Sequence, residues 1–434
     1  MTAPLSEEKT EVGSYFISNY PPFSFWKKEA LPRAEAALNR PARAETPLGL
    51  YLHIPFCRKR CKFCYFRVYT DKNSKDVERY MAALAREVDL YRERAVLSGR
   101  PLRFAYFGGG TPSFLSEKQL LSLVERLRAS VTWDDAEEVT FECEPGTLTE
   151  RKLEVIRDIG VTRLSLGAEN FNDAILEENG RAHHAPEVFR AYEWARRAGF
   201  EQVNIDLIAG MVGETWESWR DTVAKARDLA PDSLTVYQME LPFNAVYAKS
   251  LPGGAVEVAD WKTKREWVDH AFSEMEKVGY QVSSAYTVVR SPEARFVYRD
   301  AVWHGADMVG TGVASFSHVG GVHYQNADTD DAYISMIEEG RLPLARALEP
   351  TPRQLLIREL ILQLKLGRLE ASYFQANFGV GILSEFREAF AEMGREGFCE
   401  FSPSGLVLTR AGLLRVDSLL PLFFEPAHRG ARYT

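Results

Sequence analysis

Disulfide frameworks, long apolar runs and an excess of basic charge are all missing from this chain. Only five cysteines occur in 434 residues, and three of them fall between positions 57 and 64. That distribution cannot staple a small secreted domain, and in a reducing compartment it reads as a metal or redox site. No stretch of 18 or more apolar residues is present, so no helical membrane span is expected. The formal net charge is −8, which gives no global reason to expect nucleic-acid binding. The first residues, MTAPLSEEKTEVG, lack the basic start and apolar run of a secretory signal, and the cytoplasm is the expected location. Internal repeats and low-complexity tracts are also absent. What remains is 45% hydrophobic and 26% charged, the composition of a folded chain with a sizeable core. Its length predicts two or three domains.

Three regions are expected. Residues 1–47 form an N-terminal extension with an aromatic, Pro-bearing patch, Tyr15–Trp26 (YFISNYPPFSFW), followed by a helix and linker at about residues 30–47. So many aromatic rings would be costly in water, so the patch is expected to pack on the main domain, with a substrate lid as the alternative. In residues 48–345, short β-branched and aromatic runs alternate with helical segments. Strands are predicted at Leu50–Ile54, Arg103–Phe107, Glu138–Glu142, Thr162–Leu166, Gln202–Leu207 and Ser233–Met239. Between the first two, Val77, Tyr80, Met81, Leu84 and Val88 follow the i, i+3, i+4 spacing of an amphipathic helix. Six β–α units predict an α/β fold with a parallel sheet, too short for a closed eightfold barrel. A partial (βα)6 TIM-like barrel would carry its site at the strand C-termini. Residues 240–345 look less regular and include GTGVASFSHVGGVHY. Residues 346–434 predict helices at Pro352–Leu366 and Leu383–Met393, a strand at Gly405–Leu408 and a helix at Ala411–Leu420, a small α+β winged-helix-like unit.

The cysteine segment is YLHIPFCRKRCKFCYF. Thiolates select soft metals and iron–sulfur clusters. Cys57-x3-Cys61-x2-Cys64 supplies three ligands from one loop, so one iron of a 4Fe–4S cubane would lack a protein thiolate. That open iron can chelate the amino and carboxylate groups of S-adenosylmethionine (SAM). The rival reading is structural zinc, which wants four closed ligands and could take His53 as the fourth. Glycines at Gly108, Gly109 and Gly110, just after a predicted strand, would let backbone approach a ligand closely.

The chain resembles the radical SAM family of oxygen-independent coproporphyrinogen III oxidases and their relatives, which include haem chaperones and methyltransferases. The resemblance runs from residue 49 to about 420. It rests on YLHIPFCRKRCKFCYF, FAYFGGGTPSFL, VTFECEPGTL, VTRLSLGAENF, NGRAHH and VNIDLIAGMVGET in that order. It implies that Cys57, Cys61 and Cys64 hold a 4Fe–4S cluster, and that Tyr51, Gly109 and Glu142 contact a SAM on it, with Gly108–Pro112 as the motif for its amino group. It further implies a second SAM at Phe63, Gly110, Thr111, Glu169, Arg181 and Asp206, with Met239 and Phe316 as weaker alignments. An electron donor such as reduced flavodoxin or ferredoxin and a small-molecule substrate are the expected partners. No residue is singled out as the acid or base that completes turnover.

Two departures bear on the reaction. The family's true oxidases carry a further cysteine two residues after the last ligand, where this chain has Phe66; the usual Gln of the LSLGxQ motif is Glu169. C-methylation or related C–C bond formation is therefore the expected outcome. Oxidative decarboxylation of coproporphyrinogen and a haem-binding chaperone are the alternatives. Arg58, Lys59, Arg60, Lys62 and Arg67 around the cysteines fit a solvated face, a docking site for an acidic donor, or a grip on substrate carboxylates. Glu144 reads as either a ligand contact or an Arg-paired carboxylate. Cys143, Cys399 and the histidines 183, 184, 304, 318 and 323 are expected to be ordinary core or hydrogen-bonded residues.

Overall fold

The computed structural model describes residues 9–12, 17–43, 45–251, 254 and 256–431; Tyr15 and Phe16 of the aromatic patch lie outside the described residues. Six strands, β1 (Leu48–Ile54), β2 (Phe104–Gly109), β3 (Glu138–Cys143), β4 (Arg163–Glu169), β5 (Gln202–Ala209) and β6 (Ser233–Gln238), run parallel in sequence order. Alternation explains why they form one curved layer. Leu48, Leu50, Leu52 and Ile54 of β1, Val139 and Phe141 of β3, and Val203, Ile205 and Leu207 of β5 are buried in one core with the helices. The residues between them are polar: Tyr51 and His53, Thr140 and Glu142, Arg163 and Ser165, Asn204 and Asp206. Successive side chains point to opposite faces, so one face buries hydrocarbon and the other presents a polar interior.

The helices between strands start where the sequence supplies caps. Ahead of Ser74–Arg92, the Asn73 side chain accepts from the backbone N–H groups of Lys75 and Asp76 at 2.8 and 3.2 Å, and Asp76 accepts in return from Asn73 N at 3.1 Å. Such a cap is worth about 1 kcal/mol. The predicted stripe Val77, Tyr80, Met81, Leu84 and Val88 is buried.

Residues 240–345 are more regular than expected. After β7 (Gln281–Val282) and β8 (Thr287–Val289), β9 (Asp307–Thr311) pairs parallel with β1 on the side away from β2. The parallel run therefore has seven strands. β10 (Phe316–Val319), β11 (Val322–Asn326) and β12 (Leu344–Leu348) continue it antiparallel, while β8 and β7 extend it beyond β6. The edges, β12 and β7, do not pair, so the barrel stays open.

A second apolar cluster centres on the helix Pro352–Leu364, with Leu356, Leu360, Ile361 and Leu364 buried against Phe374, Phe390 and Leu420. β13 (Arg368–Glu370), β14 (Cys399–Ser402) and β15 (Gly405–Leu408) form a separate antiparallel sheet in the order β13-β15-β14. The predicted helix Leu383–Met393 is two pieces, Ile382–Glu385 and Arg387–Arg395, parted at Phe386, whose φ of −115° and ψ of 36° are not helical. The predicted Ala411–Leu420 helix likewise divides into Arg410–Leu414 and Val416–Leu419. The N-terminal segment joins both clusters: Trp26 stacks on His323 of β11 at 5.2 Å, and Tyr20 packs on Phe424 at 5.0 Å. Among the described residues, no helix is long and apolar enough to cross a membrane.

Candidate functional site

The strand C-termini open into a cavity of about 2020 Å³. Cys57, Cys61 and Cys64 line it from the loop that follows β1. Tyr51, Phe63, Gly109, Gly110, Thr111, Glu142, Glu169, Arg181, Asp206, Met239 and Phe316 line it too; Gly108 does not. Met239 is buried in an apolar cluster against which Phe63 packs. Phe316 stands apart on β10, its ring against Phe23 at 5.7 Å and Trp26 at 5.5 Å.

The structure gives the glycines a further physical reason. A Cβ on Gly109, whose φ is +111°, would meet the His53 ring at 2.5 Å; one on Gly110 would meet the Pro55 carbonyl carbon at 2.8 Å and Ile54 O at 2.9 Å. The end of β2 is thus pressed against the cysteine loop. Gly110 N donates to Ile54 O at 2.9 Å and Thr111 N to Phe56 O at 2.9 Å, locking the two segments together.

The three thiols are free, and the fit to a metal group can be judged from what surrounds them. Thr111 Oγ1 donates to Cys57 Sγ at 3.3 Å, and Arg181 Nη1 to Cys61 Sγ at 3.4 Å. Burial pushes the Cys57 thiol up to about 11 and Cys64 up to about 12, so a soft metal would have to displace their protons. Among the described residues, no three His, Cys, Asp or Glu side chains converge on a single ion. A mononuclear zinc site does not fit, and His53 Nδ1 and Nε2 face Tyr51 OH at 3.5 Å and Arg67 O at 3.4 Å instead. A cubane spreads three thiolates over three irons and does not require such convergence.

Beside the thiols lies a group of buried carboxylates. Glu142 accepts from Tyr106 OH at 2.6 Å and Gly109 N at 3.1 Å; burial pushes it up to about 7 despite the Tyr106 bond. Glu169, at φ +61°, has Arg181 at 3.5 Å; burial pushes it up to about 7, and the charges of Asp206 and Glu142 add to this. Asp206 accepts from Ser165 at 2.7 Å and Asn204 at 2.9 Å and is also raised by burial. Arg181 donates to Gly167 O at 2.6 Å, while its Nε is buried without a partner. Carboxylates that repel one another fit a ligand carrying positive charge, as SAM does in its sulfonium and ammonium groups.

Glu144 differs. It accepts a bidentate pair from Arg58 at 2.7 and 2.9 Å and one from Gly146 N at 3.1 Å. Burial alone would raise it, but His183 and Arg58 hold it down to about 2. Of the other basic residues, Lys62 meets Glu178 at 3.0 Å and Arg67 meets Asp328 at 3.7 Å. Sequence reasoning passed over Tyr106, Arg163, Ser165 and Asn204, which hold or face the carboxylates. The signal was present: polar residues at i, i+2 inside otherwise apolar strands.

The family profile of the radical SAM superfamily matches residues 51–226, which include the cysteine loop, the glycines and the carboxylates. The chain carries a radical SAM domain. The heme chaperone HemW of Bacillus subtilis is 28% identical to it over 379 residues, 86% of this chain and 98% of that one. The oxygen-independent coproporphyrinogen III oxidase of Synechocystis is 25% identical over 430 residues, 94% of this chain and 91% of that one. Among solved structures, the radical SAM enzyme coproporphyrinogen III oxidase (HemN) of Escherichia coli superposes with a TM-score of 0.81 at 25% identity, over 94% of this chain and 96% of that one. The radical SAM fold thus extends well beyond residue 226. A 4Fe–4S cluster and SAM are the cofactors of this family, and the thiols and carboxylates described above fit both.

Proposed function

We propose that the protein holds its cluster on Cys57, Cys61 and Cys64, cleaves SAM reductively, and acts on a tetrapyrrole of coproporphyrinogen type. The cavity carries this reading. Its volume of about 2020 Å³ exceeds the roughly 300–1,000 Å³ usual for small-molecule sites, and it runs from the cysteines to Arg358 and Arg415 of the C-terminal region. A bulky polycarboxylate beside SAM suits such a space. Cys57, Cys61 and Cys64 would hold a cluster that would supply the electron for reductive cleavage of SAM, the chemistry needed to activate an unreactive C–H bond.

The chain's own residues have distinct parts in this reading. Tyr51, Gly109 and Glu142 contact the SAM on the cluster, with Tyr106 fixing the Glu142 carboxylate. Phe63, Gly110, Thr111, Glu169, Arg181, Asp206, Met239 and Phe316 serve a second SAM, for which Arg181 Nε is an unused donor. Lys59 and Arg60, exposed beside the cysteine loop, face an acidic flavodoxin- or ferredoxin-like donor.

The relatives favour the reaction expected only as an alternative. The named proteins are coproporphyrinogen oxidases and a haem chaperone, and none is a methyltransferase. Decarboxylation of propionate side chains is therefore the leading reading. Phe66, exposed and stacked on Tyr65 at 4.5 Å, favours the chaperone as a second. Anaerobic incubation with dithionite, SAM and coproporphyrinogen III tests both. 5′-Deoxyadenosine with protoporphyrinogen supports the oxidase; stable haem binding without turnover supports the chaperone; S-adenosylhomocysteine would revive methyl transfer.

A further inference from the structure

β10 to β12 and the helix Pro352–Leu364 supply another part of the cavity wall. Phe316 and His318 of β10 lie opposite Gln325 and His323 of β11, and Gln325 lies opposite Arg346 of β12. Phe316, His318, Gln325 and Arg346 all line the cavity, as does Arg358 of the helix Pro352–Leu364. Arg358 is 2% exposed. Its Nε donates to Asn19 Oδ1 at 2.9 Å and its Nη2 faces Val302 O at 3.5 Å, but Nη1 is buried with no partner. Arg346 donates from Nε to Gln325 Oε1 at 2.6 Å and from Nη1 to Phe23 O at 3.3 Å. Among the described residues, neither guanidinium has a carboxylate within ion-pair distance, although most other arginines of the chain do.

The same region holds its histidines neutral. His318 Nδ1 and His323 Nδ1 are 2.9 Å apart, so one ring donates and the other accepts; His323 Nε2 lies 3.1 Å from Tyr20 O. Burial lowers both, and the charge of Arg358 lowers them further. Asp328 and Glu359 act on Arg346 and Arg358 from beyond ion-pair distance, so neither guanidinium is closed by a bound carboxylate, and a planar fork is well matched to one. Phe23, with the Arg346 guanidinium over its ring at 4.8 Å, and Trp26 offer an aromatic surface for a flat apolar body.

We propose that Arg358 and Arg346, with His318 beside them, form a carboxylate-binding wall that fixes the far edge of a flat, polycarboxylate substrate while its reacting edge faces the cysteine loop. This rests on the tetrapyrrole reading only for the identity of the ligand. The buried carboxylates Glu142, Glu169 and Asp206 suit a cationic cofactor, and the two guanidiniums without an ion-pair partner suit an anionic substrate. Neither arginine belongs to the proposed SAM contacts.

Two kinds of probe test the wall. In fluorescence titrations, the parent should bind coproporphyrin III more tightly than its tetramethyl ester. Arg358→Gln and, separately, Arg346→Gln should weaken tetra-acid binding about ten- to a hundredfold and leave ester binding unchanged. Variants that bind the tetra-acid as the parent does would overturn the proposal. In thermal melts, butane-1,2,3,4-tetracarboxylate should raise the Tm of the parent and not of Arg358→Gln. If neither porphyrin binds but this arginine-dependent shift persists, the wall stands and the tetrapyrrole reading falls. If no probe depends on either arginine, the wall falls. Arg346 is half-buried, so its variant serves where Arg358→Gln fails to fold.

Discussion

Glu87 and Glu169 are the same residue type, both enclosed, and burial pushes both up to about 7. Their surroundings separate them. Glu87 lies under the Gly-rich segment and accepts from Gly312 N at 2.7 Å, Asn326 Nδ2 at 2.7 Å and Tyr333 OH at 2.6 Å. It ties its helix to β11 and the helix Asp330–Glu338, and nothing is left for a ligand to do. Glu169 lines the cavity, has among the described residues only Arg181 as a close ionic partner, at 3.5 Å, and sits in a left-handed backbone conformation that disfavours a side chain. A buried acid with a complete set of protein donors is architecture; a buried acid with an incomplete set, facing a cavity, is half of a binding site. A perturbed pKa alone does not tell the two apart.

The strongest way to break this comparison is to remove what the incomplete set is proposed to serve. Cys57→Ala, Cys61→Ala and Cys64→Ala should each bring SAM cleavage to background, while Cys143→Ala and Cys399→Ala should keep full iron content. Iron analysis after anaerobic reconstitution with a 5′-deoxyadenosine assay reads both; full iron in Cys61→Ala would sink the ligand set. Next, Glu87→Ala leaves three donors unpaired and should destabilise the fold by about 3 kcal/mol or more, with SAM affinity of the folded protein unchanged. Denaturant unfolding and equilibrium dialysis measure the two effects. Glu169→Ala should do the reverse, leaving stability equal or higher and weakening SAM binding by about tenfold. A loss of stability without a loss of affinity would place Glu169 with Glu87.

The smallest effect is in pH. Glu87, Glu142 and Glu169 are raised on folding, so each stabilises the fold most below its usual 4.5, and that contribution disappears as pH rises through about 7. A cationic ligand favours the ionised forms of Glu142 and Glu169. SAM should accordingly bind more tightly at pH 8 than at pH 6 and flatten their share of the stability slope, leaving that of Glu87. An affinity that falls over this range would contradict the assignment.

The strands that carry the carboxylates and lead into the cysteine loop were legible because β1 and β3 to β6 alternate in side-chain character over six to eight positions, while β2 begins as a short run of aromatic and small apolar residues. Their ends were misjudged by one or two residues, as at Gly109 and Ala209, where small residues carry no periodic signal. β9 to β11 were not legible. They are four or five residues long and include or adjoin Gly310, Gly312, Gly320 and Gly321, which read as loop. Arg346 and Arg358 could not be singled out for a different reason. Each looks like an ordinary arginine on its own element, and only the packing of distant segments leaves them on a cavity wall with no carboxylate within ion-pair distance.

β1 bears on how the protein is made. It carries the cysteine loop, yet it is flanked on one side by β2 and on the other by β9, which brings in Asp307–Thr311 from far along the chain. During synthesis, the cysteines leave the ribosome long before their second supporting strand exists. Until β9 docks, β1 is an open edge and the loop above it is held from one side only. The seat of the cysteine loop is therefore supported from both sides only once residue 311 has been made, and in a chain truncated before residue 307 β1 would keep an open edge.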